Sequence, residues 1–86
     1  MKTSQHGGHV SIHVNAQGLS CVTTDDYELM DMIDDFLTEE CGFDYKGIQS
    51  DRPNKGQYTI AVQNGISLEE LVMAVKKLDI EEIERI

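Results

Sequence analysis

Three histidines stand close together near the start of the chain, His6, His9 and His13, and imidazole is the side chain best suited to hold a metal or move a proton near neutral pH. Their spacing argues against a shared ion. The segment His9-Val10-Ser11-Ile12-His13-Val14 alternates polar and apolar as a strand does. That places His9 and His13 about 13 Å apart at ~3.3 Å per residue. His6 and His9 can meet around Gly7-Gly8 but bring no third ligand. The expectation is a solvent-facing row with Ser11 and no metal.

Cys21 and Cys41 have neither the close spacing of a zinc or redox motif nor the density of a disulfide scaffold, and read as ordinary buried thiols. The run Asp51-Arg52-Pro53-Asn54-Lys55-Gly56 imitates a calcium loop at its first and sixth positions. Pro53 and Lys55 stand where oxygen ligands are needed, and Val62 stands where the closing glutamate belongs. Phosphate-cradling glycine motifs and nucleophile elbows are absent. Carboxylates are plentiful, but a catalytic one needs a cleft that desolvates it, and helix-surface Asp and Glu in so small a chain are mostly solvated. The expectation is a protein that is not an enzyme and uses no cofactor.

The carboxylates are more informative by their placement. Nine of the 16 acidic residues, Asp25, Asp26, Glu28, Asp31, Asp34, Asp35, Glu39, Glu40 and Asp44, fall in one segment without a Lys, Arg or His. The rest of the chain holds seven acids and seven bases, so the net charge of −9 resides on that segment. A chain so charged is a poor direct ligand for nucleic acid or anionic membrane, both of which are bound through Lys and Arg. A basic protein surface is the expected partner.

Positioning these residues takes a small α+β domain. At 86 residues one modest core is all the chain can bury. Residues 1–8 read as a flexible leader without the apolar stretch of a secretory signal, and residues 9–86 as the single domain. No apolar run approaches the roughly 20 residues of a membrane helix, and a cytoplasmic site is expected. Val10, Ile12 and Val14 share one face of the first strand. Asn15-Ala16-Gln17-Gly18 is a turn, and residues 19–23 are a second strand with Leu19 and Cys21 inward.

Thr23 or Thr24 is positioned to cap a helix over residues 24–41, with Asp25 and Asp26 in its first turn, where negative charge suits the dipole. Leu29, Met30, Ile33, Phe36, Leu37 and Cys41 recur at helical spacing as its buried stripe, and Gly42 ends it. Residues 45–50 and 57–62 read as a second hairpin across the 51–56 turn, the latter strand burying Tyr58, Ile60 and Val62. Ser67-Leu68-Glu69-Glu70 is a capping box, and Ile66 with Leu71 has the spacing of a hydrophobic staple. The second helix therefore starts at Leu68 and buries Leu68, Leu71, Val72, Val75 and Leu78. Residues 79–82 repeat the capping pattern, while Ile83 and Ile86 fit an unbroken helix, so a break and a continuation both remain open. The order ββαββα gives a four-stranded, mostly antiparallel sheet with two helices on one face.

On that scaffold Glu28, Asp31, Asp35 and Glu39 line up along the first helix. Each like-charge pair four apart costs about 0.2–0.5 kcal/mol, and Glu39 and Glu40 sit at the negative end of the dipole. The spacing of about 4.5–6 Å along the axis is of the same order as the ~3.4 Å rise between phosphates on a DNA strand. A basic partner that pairs these charges relieves the conflict, and Tyr27, Met32 and Phe43 at the margins supply apolar anchors.

In size, acidity and charge layout the chain is similar to phage-encoded anti-defence proteins, including anti-CRISPR and DNA-mimic inhibitors. That likeness implies binding to a nucleic-acid-binding protein or nuclease complex in the host cytoplasm through Glu28, Asp31, Asp34, Asp35, Glu39, Glu40 and Asp44. The rival expectation is a non-inhibitory adaptor or homodimeric subunit, paired through an open sheet edge or the carboxy-terminal helix, whose acidity serves solubility.

Overall fold

A computed structural model describes residues 9–50, 57–78, 80 and 82–85. The expected leader, the turn at 51–56 and residues 79, 81 and 86 lie outside the described residues. Five strands and two helices follow in the order β1 (His9–Val14), β2 (Ser20–Thr24), α1 (Tyr27–Asp35), β3 (Gln49–Ser50), β4 (Tyr58–Ala61), α2 (Leu68–Lys76) and β5 (Glu82–Arg85), with a π turn, Phe36–Glu40, appended to α1. The sheet order is β3-β4-β2-β1-β5. Every pairing is antiparallel except β5 with β1, which is parallel.

The four-stranded ββαββα expectation is thus corrected by a fifth strand. Ile80, Ile83 and Ile86 have helical spacing, but α2 closes before them, with Lys77 N–H donating to Ala74 O and Leu78 N–H to Val75 O. The following residues pair with β1 instead, Val10 opposite Ile83 and Ile12 opposite Arg85. Among the described residues neither the restarted nor the continuous helix is formed, and Glu82–Arg85 is a strand.

Strand directions explain why both helices share one face. Since β2 opposes both β1 and β4 and β5 runs with β1, β4 and β5 are parallel, and α2 is the crossover that joins them. By the same reasoning β2 and β3 are parallel and α1 with its π turn joins them. Such connections lay a helix across a sheet. Ile12, Val22 and Ile60, directly opposed across three strands, meet Leu29, Met30, Ile33 and Leu37 from one side and Leu71, Val72 and Val75 from the other in a single buried core.

The second strand has the opposite phase from that expected: Ser20, Val22 and Thr24 face the helices, and Cys21 is buried on the other side, opposite His13. The turn is the cause. Asn15 Oδ1 accepts from Gln17 N–H and Leu19 N–H, and Gly18 takes a left-handed φ of 83°, giving a three-residue connection before pairing resumes. Val14 shares the phase of Ile12 but lies at the strand's end and is 49% exposed. Of the expected strand over 45–50 only Gln49–Ser50 forms, and Tyr58 is half-buried beside buried Ile60 and Val62.

The capping box at α2 forms in both directions, Glu70 N–H to Ser67 Oγ and Ser67 N–H to Glu70 Oε1. The buried face of α2 also includes Ala74, while Leu68 and Leu78 are half-buried at its margins. Ser20, buried beneath this entry, donates to Ile66 O at 2.9 Å.

Candidate functional site: the acidic face of the first helix

The cap of α1 is Asp26, not Thr23 or Thr24 as expected: its Oδ1 accepts from Leu29 N–H at 3.2 Å. Thr24 is committed elsewhere. Its hydroxyl donates to His9 O and accepts from Asp26 N–H, tying the helix start to β1. Helical backbone therefore begins at Tyr27, and the α-helical part ends at Asp35 rather than running to Cys41.

The π turn has a reason in the sequence. Leu29, Ile33, Leu37 and Cys41 are spaced by four, and at about 100° per residue each step overshoots a full turn by about 40°. Three such steps would swing Cys41 away from the core. A wider turn, closed by Cys41 N–H to Phe36 O, takes up the excess, so Leu37 is buried and Cys41 packs against the core margin. Asp31, Asp35 and Glu39 have the same spacing and stay together on the outer side.

Glu28, Asp31, Asp35, Glu39 and Glu40 are all exposed. Among the described residues none of them forms an ion pair; the pairs present are His9 with Glu84 and Arg85 with Glu69. No basic residue stands in the last turn. Lys77 approaches from α2, near enough to Cys41 to oppose the rise that burial imposes on that thiol. It reaches no carboxylate within pairing distance among the described residues. Tyr27, 52% exposed, stands one turn before Asp31 with its ring held edge-on to Tyr58 at 5.1 Å. Of the expected apolar anchors it is the exposed one, since Met32 and Phe43 are half-buried against the core.

Two of the expected partner-binding residues are placed differently. Asp34 is half-buried and accepts from the Tyr45 hydroxyl at 2.6 Å, and its main-chain oxygen accepts from Tyr45 and Thr38 hydroxyls. Burial first, and then this carboxylate, push the Tyr45 phenol well above its ordinary range. Asp44, though exposed, lies off the helix: its main chain is bonded to Gln63 beyond the end of β4. The Tyr45–Asp34 contact had no local sequence signal, because its partners are eleven positions apart with the π turn and an irregular segment between them.

On the opposite sheet face, His9, Ser11 and His13 line a shallow polar depression with Thr23 and Thr59. His9 Nε2 lies 3.1 Å from Glu84 Oε1, a partner supplied by the unanticipated β5. No group of three or more metal-ligating side chains occurs among the described residues. Both cysteines are free thiols, and burial raises the pKa of Cys21 as it does that of Cys41. No helix among the described residues is long and apolar enough to cross a membrane.

No family model matches the chain, and no curated protein matches it. Two solved structures are similar in fold. One is a hypothetical protein from Staphylococcus aureus, 15% identical with a TM-score of 0.48 over 92% of this chain and 99% of that one. The other is the essential ribosomal processing protease Prp from S. aureus with a covalently linked product peptide, 13% identical, with the same TM-score and coverage. Likeness this distant carries no inference about chemistry.

Proposed function

We propose that this chain is a small, non-catalytic, cytoplasmic interaction protein whose acidic helix binds a basic surface of a nucleic-acid-handling protein and blocks it by competition. The observation that carries this reading is the row Glu28, Asp31, Asp35, Glu39 and Glu40, exposed on a helix whose other side is core, and without ion pairs among the described residues. Charges so arranged repel one another in the free protein and are relieved by Lys and Arg across an interface. Tyr27 extends the row with an aromatic anchor of the kind that concentrates binding energy. Asp34 and Asp44 are left out of the contact, one holding Tyr45 and the other lying off the helix.

A homodimeric subunit would pair through an open sheet edge or the apolar carboxy-terminal helix. The outer strands are Gln49–Ser50, two exposed residues, and Glu82–Arg85, with charge at three of its four positions. Short charged edges resist pairing. The apolar face of α2 is already core.

The test is charge reversal. Wild-type protein used as bait captures partners at low salt and loses them as screening rises, whereas Asp31→Lys combined with Asp35→Lys captures none of them at any salt. Unchanged capture and unchanged salt dependence in the double variant would overturn the reading.

A further inference from the structure

The last turn of β4 leaves one residue's main chain unpaired in a cleft. Along β4, alternate residues turn their N–H and C=O to opposite sides. Val62 N–H donates to Ser20 O, so Ile60 and Val62 face β2. Thr59, Ala61 and Gln63 face the other way. Thr59 is opposite Gln49 in β3, and Gln63 N–H donates to Asp44 O at 3.0 Å.

Between those two points residues 45–48 oppose residues 60–62, one residue too many for a regular ladder. Tyr45 and Ile48 are drawn in toward the core, and Gly47 takes a φ of 125°. Ala61 N–H and C=O have no hydrogen-bond partner among the described residues. Ala61 borders a cleft of about 550 Å³ whose polar lining is chiefly amide, from Asn15, Gln17, Gln49 and Gln63, with Lys46 and Asp44 contributing one charge of each sign.

We propose that this cleft binds a small uncharged planar molecule through an amide edge, a lactam or a carboxamide, whose carbonyl accepts from Ala61 N–H and whose N–H donates to Ala61 C=O. A donor and an acceptor side by side on a single extended residue is the pattern that such an edge complements, as a neighbouring strand does in a ladder. The gap is closed at both ends by the protein's own pairing, so a compact ligand fits where a strand does not. The volume lies within the range of small-molecule sites, and an uncharged ligand meets no penalty from a chain of net charge −9. The site is independent of the acidic helix.

Titration of the 15N-labelled protein with uracil, propionamide and 1,3-dimethyluracil tests this. Uracil or propionamide should move the Ala61 amide resonance and the Gln49 and Gln63 side-chain amides saturably at millimolar concentration. Whichever of the two binds more tightly identifies a lactam or a carboxamide as the edge. Dimethyluracil, whose ring N–H groups are capped, should produce no such shifts. Ala61→Pro removes an N–H that the ladder does not use and should keep the fold while abolishing the uracil and propionamide shifts. No saturable shift with either amide, or equal shifts with dimethyluracil, overturns the proposal.

Discussion

Tyr45 carries its ring to the core margin and its hydroxyl to Asp34, closing the irregular segment after α1 back onto that helix. Because the folded state raises the phenol's pKa, its proton is held more firmly there than in the unfolded chain. The contribution to stability is complete below the unfolded value of ~10 and is lost as pH rises above it. Urea unfolding between pH 8 and 11 should show wild-type stability falling with pH, and Tyr45→Phe falling less. At neutral pH the same variant should cost about 1–2 kcal/mol, in line with a hydrogen bond to a charged acceptor at a half-buried site. Cys21, buried and raised by desolvation, should resist iodoacetamide at neutral pH until the protein is unfolded, since the thiolate is the reactive form. Rapid labelling of the native protein would contradict the burial described. The residue scale was the least legible in sequence: Tyr45 with Asp34 and His9 with Glu84 join positions that no periodicity relates.

At the scale of elements, local chemistry made α2 readable. Ser67 and Glu70 are close in sequence, and both of their bonds form as expected. Ser67→Ala should lower stability by about 1 kcal/mol, measurable as a reduced urea midpoint with unchanged slope. For α1 the apolar stripe and the acidic stripe were both visible, but the cap was not, because Thr24 had a second suitor in His9 O. The π turn follows from a spacing of four that an α-helix cannot hold on one side. Replacing Asp35 by Lys should raise the free protein's thermal midpoint slightly, since it removes two like-charge neighbours and places a cation toward the negative end of the dipole. The same change should weaken partner capture. A variant with lower stability would show that the charges along this helix are compensated.

For the molecule as a whole, the class and a single core were legible from alternation and helical spacing, while the topology was not. Strand phase depended on a turn one residue longer than a tight hairpin. The fifth strand was masked by isoleucines that fit a helix equally well, and only the open edge of β1 decided between them. Ending the chain before residue 82 should remove Ile83 from the core margin and expose that edge. Sedimentation or light scattering should then find more self-association than the 86-residue chain gives under the same conditions. A truncated chain that stays monomeric and folded would mean that β5 is dispensable.

The parallel pairing of β5 with β1 joins the last of the described strands to the first. On the ribosome, β1 can hairpin with β2 at once, yet its outer edge finds no partner until residues 82–85 have left the exit tunnel. The sheet is therefore completed only after β5 itself has emerged. A nascent chain stalled short of β5 holds an unsatisfied strand beside other copies on the same polysome.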